Sequence, residues 1–484
     1  MPKQRRNKYN FSIRASFGLA LFLSSLFTNS VCAQQDSIPF TLNEYLGYVK
    51  RFHPIVRQAQ LILNQGQAEL LKARGGFDPK IEVDYSQKKF KGLEYYDILN
   101  GTFKIPTWYG IELKAAFEQN EGDFLNPERN VPDEGLYAAG VSVSLLRNSW
   151  INERMATLRR ARFFLEQSQA DRDLAVNQIL YEATEAYLDW TQFYNEAQIY
   201  AEFLDNARIR FEGIRTSVLA GDKAAIDTVE AKIAYQNRQL QLEKARLKTV
   251  KSVLELSNYL WIDNVPVELQ PDVVPESRIS IDLTQALGLP LQPQDSLALQ
   301  NHPKLRSLFF KREALRIDRR FKANQLLPQL DVQYNFITAK PEEFNSVNTA
   351  EYKGGLQFSF PLFLRKERGA LRLARFKLQD IEFEYSATNL RIRNKIQASF
   401  QEITSLQTQQ VLIDEITDNY VTLLRGEERK FTLGESSVFL INSRESKLID
   451  ARLKQNELII DFYEAQAKLF NILAIIPEDL RVQP

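Results

Sequence analysis

Cysteine and histidine are nearly missing from this sequence. One Cys and two His in 484 residues exclude a disulfide framework and a cysteine-based zinc module. Neither sign of charge dominates. With 62 Lys+Arg against 61 Asp+Glu the formal charge is +1, which leaves no footprint for bulk nucleic-acid binding. Disorder is excluded by a 44% hydrophobic content at that low charge. No nucleophile elbow, metal-ligand cluster or phosphate-binding glycine loop is present, so the reading is of a non-enzyme that needs neither metal nor cofactor. After the N-terminal region no apolar run approaches the 18 or so residues of a spanning helix. A membrane could be crossed only by strands. Proline is absent from 133–265 and from 362–476, and helix-punctuating residues missing over such lengths predict very long helices.

The N-terminus reads as a targeting segment. Lys3, Arg5, Arg6, Lys8 and Arg14 precede or open a short apolar run, 15–27, and Val31-Cys32-Ala33 supplies small residues before Gln34. That is a secretory signal peptide covering 1–33. The rival reading, lipidation of Cys32, meets Asn29 and Val31 where a lipobox carries a Leu-like and a small residue. Cleavage after Ala33 leaves 57 basic and 61 acidic residues and no cysteine. The exported chain is slightly acidic and has no thiol.

The remainder is one unit written twice. His53-Pro54 and His302-Pro303 are offset by 249 residues, as are Arg57 and Arg306, Pro79 and Pro328. Ile81-Glu82-Val83-Asp84-Tyr85 faces Leu330-Asp331-Val332-Gln333-Tyr334 at the same offset. Further on the offset becomes 213, pairing Ala161-Arg162-Phe163 with Ala374-Arg375-Phe376, Gly213 with Gly426, and Gly221 with Gly434. The first unit is placed at 34–262 and the second at 295–476, with a proline-rich connector at 263–294 and a tail at 477–484. Each unit reads helix, strands, long helix, turn, long helix. The strands are expected at about 80–146 and 329–362, the helical hairpins at about 148–262 and 366–476.

Each His-Pro is a helix start, with Pro where its missing N–H costs nothing. Thr41-Leu42-Asn43-Glu44 is a capping box. Ile179, Ala183, Ala186, Trp190, Phe193, Ala197, Tyr200, Leu204, Ala207 and Phe211 alternate steps of four and three. That is the 3.5-residue period of a coiled-coil seam. The second unit repeats it from Ile392 to Leu424. The four glycines Gly213, Gly221, Gly426 and Gly434 are expected to mark the hairpin tips.

Ile81, Val83 and Tyr85 alternate with polar residues. So do Leu330 to Phe336, Val141 to Leu145, and Leu356 to Phe360. Apolar outside and polar inside with period two is the pattern of membrane β-barrels. Two strands per unit make four per chain, too few to close a barrel, so several chains must share one. The first unit also carries about 34 extra residues between its strands. These hold a hairpin at about 95–118 that either adds two strands to the barrel or projects outside it.

The duplicated unit, the two His-Pro helix starts and the glycine-marked hairpins together resemble the TolC-like outer-membrane efflux protein family, from about Thr41 to Ile476. The resemblance implies a mostly α fold with β-strands: a homotrimer in which one shared β-barrel in the outer membrane continues into an α-helical periplasmic tunnel. It implies a passive exit duct for small molecules or proteins in a tripartite pump or type I secretion system. The expected partners are outer-membrane lipid, a periplasmic adaptor (membrane fusion protein) and an inner-membrane transporter of the RND, ABC or a similar class. In that family the hairpin tips form a gate, and the second-copy pattern can place acids six and nine positions after the tip glycine, the alternative for such acids being a solvated helix face. Here those positions are Asp227 and Glu230 in the first unit but Leu440 and Ser443 in the second. Asp227, Glu230 and Asp222 are therefore the gate candidates, and Glu435, Arg444 and Glu445 are candidate tip contacts. The competing reading is a periplasmic coiled-coil adaptor or structural protein without a channel.

Overall fold

A computed structural model describes residues 38–277, 280–289, 301–342, 350–477 and 480. The signal-peptide reading at 1–33 lies outside them, as does Cys32. The chain begins with β1 (Ile38–Phe40), α1 (Leu42–Phe52) and α2 (Pro54–Arg74). Strands β2 (Lys80–Phe90), β3 (Leu93–Pro106), β4 (Ile111–Glu121) and β5 (Leu136–Leu146) follow. Then come α3 (Glu153–Leu219) and α4 (Ala225–Ser257). The connector holds β6 (Trp261–Ile262), β7 (Val265–Pro266), β8 (Val273–Pro275) and α5 (Leu283–Leu287). The second unit supplies α6 (Pro303–Asn324), β9 (Gln329–Thr338), β10 (Tyr352–Ser359), α7 (Arg365–Thr432) and α8 (Val438–Leu473). At 67 and 68 residues, α3 and α7 are each about 100 Å long. Among the described residues no helix is long and apolar enough to cross a membrane.

Local chemistry starts these helices as the sequence predicts. Thr41 and Glu44 cap each other's backbone at the start of α1. His53 Nδ1 accepts from the Ile55 N–H at 3.3 Å, and His302 Nδ1 accepts from the Lys304 N–H at 3.1 Å. His302 Nε2 donates to the Ile472 carbonyl at 2.8 Å. One ring nitrogen accepts and the other donates, so the ring is neutral, and burial lowers the pKa of both histidines. They are caps.

The helical seam holds hairpins together. All ten seam positions of α3 are buried or half-buried, and so are the ten of α7 from Ile392 to Leu424. α3 packs on α4, α7 on α8, and α3 on α8. The side-by-side order is therefore α4, α3, α8, α7. Nearer the strands it is α2, α3, α6, α7. The largest core lies about midway along the helices. There Tyr187 and Trp190 meet Tyr45, Leu283 and Phe470, and the connector straps them: β8 pairs with β1 and Tyr187 Oη donates to the Phe40 carbonyl at 2.7 Å.

The two outer helices keep an apolar stripe that nothing among the described residues covers. On α4, Ile226, Val229, Ile233, Leu240, Leu247, Val250 and Leu254 repeat at heptad spacing, each more than half exposed. On α7, Leu373, Phe376, Phe383 and Leu390 do the same. These are seams awaiting partner helices.

The strands form one antiparallel sheet in the order β10-β9-β5-β4-β3-β2. The extra residues of the first unit supply β3 and β4, and the sheet incorporates both. Register sorts the faces. Ile81, Phe103, Ala115, Ala139, Phe336 and Tyr352 lie in one apolar row across all six strands. The next row, on the opposite face, is Lys80, Lys104, Lys114, Gly140, Asn335 and Lys353. Glu82 and Lys104 pair on this polar side, as do Lys353 and Glu118 at 2.8 Å.

Candidate functional site

The ends of the helical hairpins carry the candidate site. The α3–α4 turn occupies 220–224 and the α7–α8 turn 433–437. Gly221 (φ +88°) and Gly434 (φ +83°) reverse the chain in the left-handed region, which costs glycine little and other residues more. Gly213 and Gly426 are a correction. Both lie inside helices, two turns before the tip, with no neighbouring atom where a Cβ would stand. Neither terminates anything; a helix interior tolerates a glycine at about 1 kcal/mol.

The tips of the two hairpins touch. Val438 is buried against Ile214 and Ala231 with Phe211, Val218 and Phe431 around them, and Lys223 Nζ sits 3.8 Å from the Phe431 ring centre. Asp227 lies in the first turn of α4, where the helix dipole favours an acid. Asp227 and Glu230 are half-buried, three residues apart and so on one helix side. Asp222 is exposed in the turn itself. Glu435 is exposed in the second turn, its N–H bound to the Lys430 carbonyl at 2.9 Å.

Arg444 and Glu445 point to different partners. Arg444 Nε lies 3.7 Å from Glu427 Oε2 on the neighbouring turn of α7, and Glu427 accepts from Ser436 Oγ at 2.6 Å. Glu445 is 1% exposed. It accepts from Arg210 of α3 through both guanidinium arms, at 2.9 and 3.2 Å. Arg238 of α4 stands 4.0 Å from the same carboxylate and donates to Ser446 at 2.8 Å. One acid of the second hairpin thus clamps both helices of the first. Sequence reading named Glu445 but missed Arg210, Arg238 and Glu427. Their pairings span more than 200 residues or sit off the seam, so no periodicity reports them.

A second charged cluster lies along the helices, nearer the central core. Tyr181, Glu185, Glu402, Asp461, Glu464 and Lys468 border a cavity of about 510 Å³. Burial, and after it the charges of Asp189, Asp461 and Glu185, push the Glu464 carboxyl up to about 7. Asp189 and Asp461 are raised for the same first reason. Among the described residues no group of three or more His, Cys, Asp or Glu is placed to hold a metal ion.

This arrangement of paired hairpins, a strapped middle and a sheet with one apolar face has known counterparts. The family model for the outer membrane efflux protein matches residues 296–474, the second of the two repeated units. Over that unit the chain is similar to the outer membrane efflux protein family. Among solved structures it is similar to the Campylobacter jejuni CmeC outer membrane channel, at 14% identity and a TM-score of 0.63, over 98% of this chain and 94% of that one. It is similar to the open state of the Neisseria gonorrhoeae MtrE outer membrane channel, at 12% identity and TM-score 0.65, over 91% and 90%. The Vibrio cholerae outer membrane protein VceC gives 12% identity and TM-score 0.64, over 90% and 96%. At these identities the likeness is one of fold. No curated protein sequence matches.

Two outcomes are expected of this chain. Glu445→Ala strands Arg210 without its acid and lowers stability by about 3–5 kcal/mol, read as a drop in Tm. Replacing the pair together, Arg210→Met with Glu445→Leu, recovers most of that loss. Equal melting of Glu445→Ala and the parent would show that the pair does not hold the hairpins. The second outcome concerns pH. Glu464 binds its proton more tightly folded than unfolded, so stability falls as pH rises from the ordinary Glu value to about 7 and the full penalty remains above it. Glu464→Gln should therefore raise Tm at about pH 8 and leave it nearly unchanged at about pH 4; the opposite order would refute this.

Proposed function

We propose that three copies of this chain assemble into the outer-membrane exit duct of an efflux system. The family is one of outer-membrane efflux channels, located in the Gram-negative outer membrane and reaching into the periplasm. Its members are trimeric and work with adaptors and inner-membrane transporters. The observation that carries the reading for this chain is its pair of uncovered apolar edges. In the tip half the α4 stripe lies at one side and α7 exposes Val411, Leu412 and Ile416 at the other; in the strand half the α7 stripe lies opposite α2, which exposes Leu61 and Leu71, so α7 of one copy can lie on α4 and α2 of the next. Repeating that contact gives a ring. The duct is passive and performs no chemistry. Its cargo, small molecule or protein, is selected by the inner-membrane partner, of the RND, ABC or a similar class, joined through a membrane fusion protein that meets the hairpin tips. A periplasmic adaptor reading is weaker, because it leaves the six-stranded sheet and its apolar face without use.

We assign Asp227 and Glu230 as the gate carboxylates, with Asp222 at the outermost turn. They sit on the first helical hairpin at its tip, and three copies bring six carboxylates to one constriction. A ring of acids favours cations. Arg444, Glu435 and Glu445 serve the tip structurally: Glu445 joins hairpin to hairpin, and Arg444 joins α8 to α7.

The protein should fractionate with the outer membrane as a trimer. Leu240→Lys with Leu247→Lys should release monomers on native gels while the helical circular dichroism persists. Recovery of the unaltered protein as a soluble periplasmic monomer would sink the duct. In planar bilayers, Asp227→Asn with Glu230→Gln should cut cation preference and change conductance; unchanged ion selectivity would remove both residues from the gate.

A further inference from the structure

We propose that the membrane barrel of the assembled protein has eighteen strands, six from each of three copies, closed by pairing β10 of one copy with β2 of the next. This rests on the trimeric duct above. It gives a bore about 1.5 times as wide as a barrel lacking the β3–β4 hairpin, because diameter grows roughly linearly with strand number.

Three observations place the hairpin inside the barrel wall. It is paired on both sides: β3 meets β2 through eleven residue pairs and β4 meets β5 through eight. Its faces match those of its neighbours, with Phe103 and Ala115 in the apolar row and Lys104 and Lys114 in the polar one. Its turn is also fixed to the helices. Trp108 stacks on Phe77 at 5.5 Å, Arg159 lies over the same ring at 5.5 Å, and Asn152, which caps α3, donates to the Trp108 carbonyl at 3.0 Å. A hairpin projecting from the barrel would have no such footing at the strand–helix junction.

The occupant of the two open edges is a second copy of this chain. β2 is exposed along all eleven residues and β10 along seven of eight. On the apolar face they present Ile81, Val83 and Tyr85, and Leu356 and Phe358. Hydrocarbon does not tolerate unpaired strand edges. Six antiparallel strands leave β2 and β10 running in opposite directions, so β10 meets the next β2 antiparallel and the wall stays antiparallel throughout. Eleven residues at about 3.4 Å, tilted by about 40°, span about 28 Å, close to the hydrocarbon thickness.

Electron cryo-microscopy of the protein in lipid nanodiscs counts the strands directly. Eighteen are expected. A twelve-stranded barrel with β3 and β4 outside it would overturn the proposal and leave the trimeric duct intact, whereas a particle with no barrel would overturn both. Cross-linking gives an independent readout, because no cysteine follows Cys32. Val83→Cys with Gly101→Cys should form a disulfide within one chain. Val83→Cys combined in turn with Gly354→Cys, Leu356→Cys and Phe358→Cys should give covalent dimers and trimers at one register. A disulfide within one chain between Val83→Cys and Val141→Cys would instead place β2 beside β5 and refute the proposal.

Discussion

Every backbone N–H and C=O in a bilayer must find a partner inside the protein. This chain has no described helix apolar enough to meet that demand alone. Its strands meet it, but only four of the six have two neighbours. The two edge strands make the single chain an incomplete object. The rest of the architecture follows from supplying the missing neighbour. Assembly is required, the contact must be repeated identically, and the helices beneath must present matching faces. The uncovered apolar residues of α4 and α2 on one side and of α7 on the other are those faces.

Away from the membrane the demand reverses. The long helices stand in water, so much of their surface is polar, and the mean hydropathy of the chain is −0.34. Exposed pairs such as Arg246–Glu243 at 3.0 Å contribute about 0–1 kcal/mol each. Glu445 is different. Buried between two hairpins, its carboxylate is held in a guanidinium fork, an interaction in which geometry matters as much as charge. Losing either partner leaves an uncompensated charge. Apolar packing aligns the two hairpins, and this polar cluster, with Arg238 bonded to Ser446 beside it, fixes their register near the tips.

Much of this was legible in the sequence because it is local or periodic. The Thr41 capping box, the His53 and His302 caps, the seam from Ile179 to Phe211 and the alternating strands each depend on residues within one or two turns. The duplicated offsets exposed the second unit even where its seam is weak, as at Ser399 and Gln410. What stayed hidden is non-local. The extra residues of the first unit read as a hairpin at about 95–118, but only strand pairing shows that β4 lies between β3 and β5. Arg210 finds Glu445 across 235 residues, and nothing near either residue reports the other. Gly213 and Gly426 misled for a third reason. They recur faithfully, yet a turn is signalled by positive φ, which of these four glycines Gly221 and Gly434 adopt and Gly213 and Gly426 do not.

The edges of the sheet and of the helices fall on the same two sides of the chain. α2 runs into β2, and β10 runs into α7. Around α3 the neighbours divide likewise, with α2 and α4 on one side and α6 and α8, leading on to α7, on the other. One head-to-tail rotation therefore brings β10 against the next β2 and α7 against the next α4 and α2. A heterologous contact of this kind closes into a ring only when the rotation fits a whole number of copies. The sheet and the helical layer must satisfy the same number at once. Trp108 and Asn152, which tie the β3–β4 turn to the start of α3, sit where the two layers have to agree. A wall widened by two strands per copy has to meet an unwidened set of helices at that junction, and this is where the extra residues of the first unit are anchored.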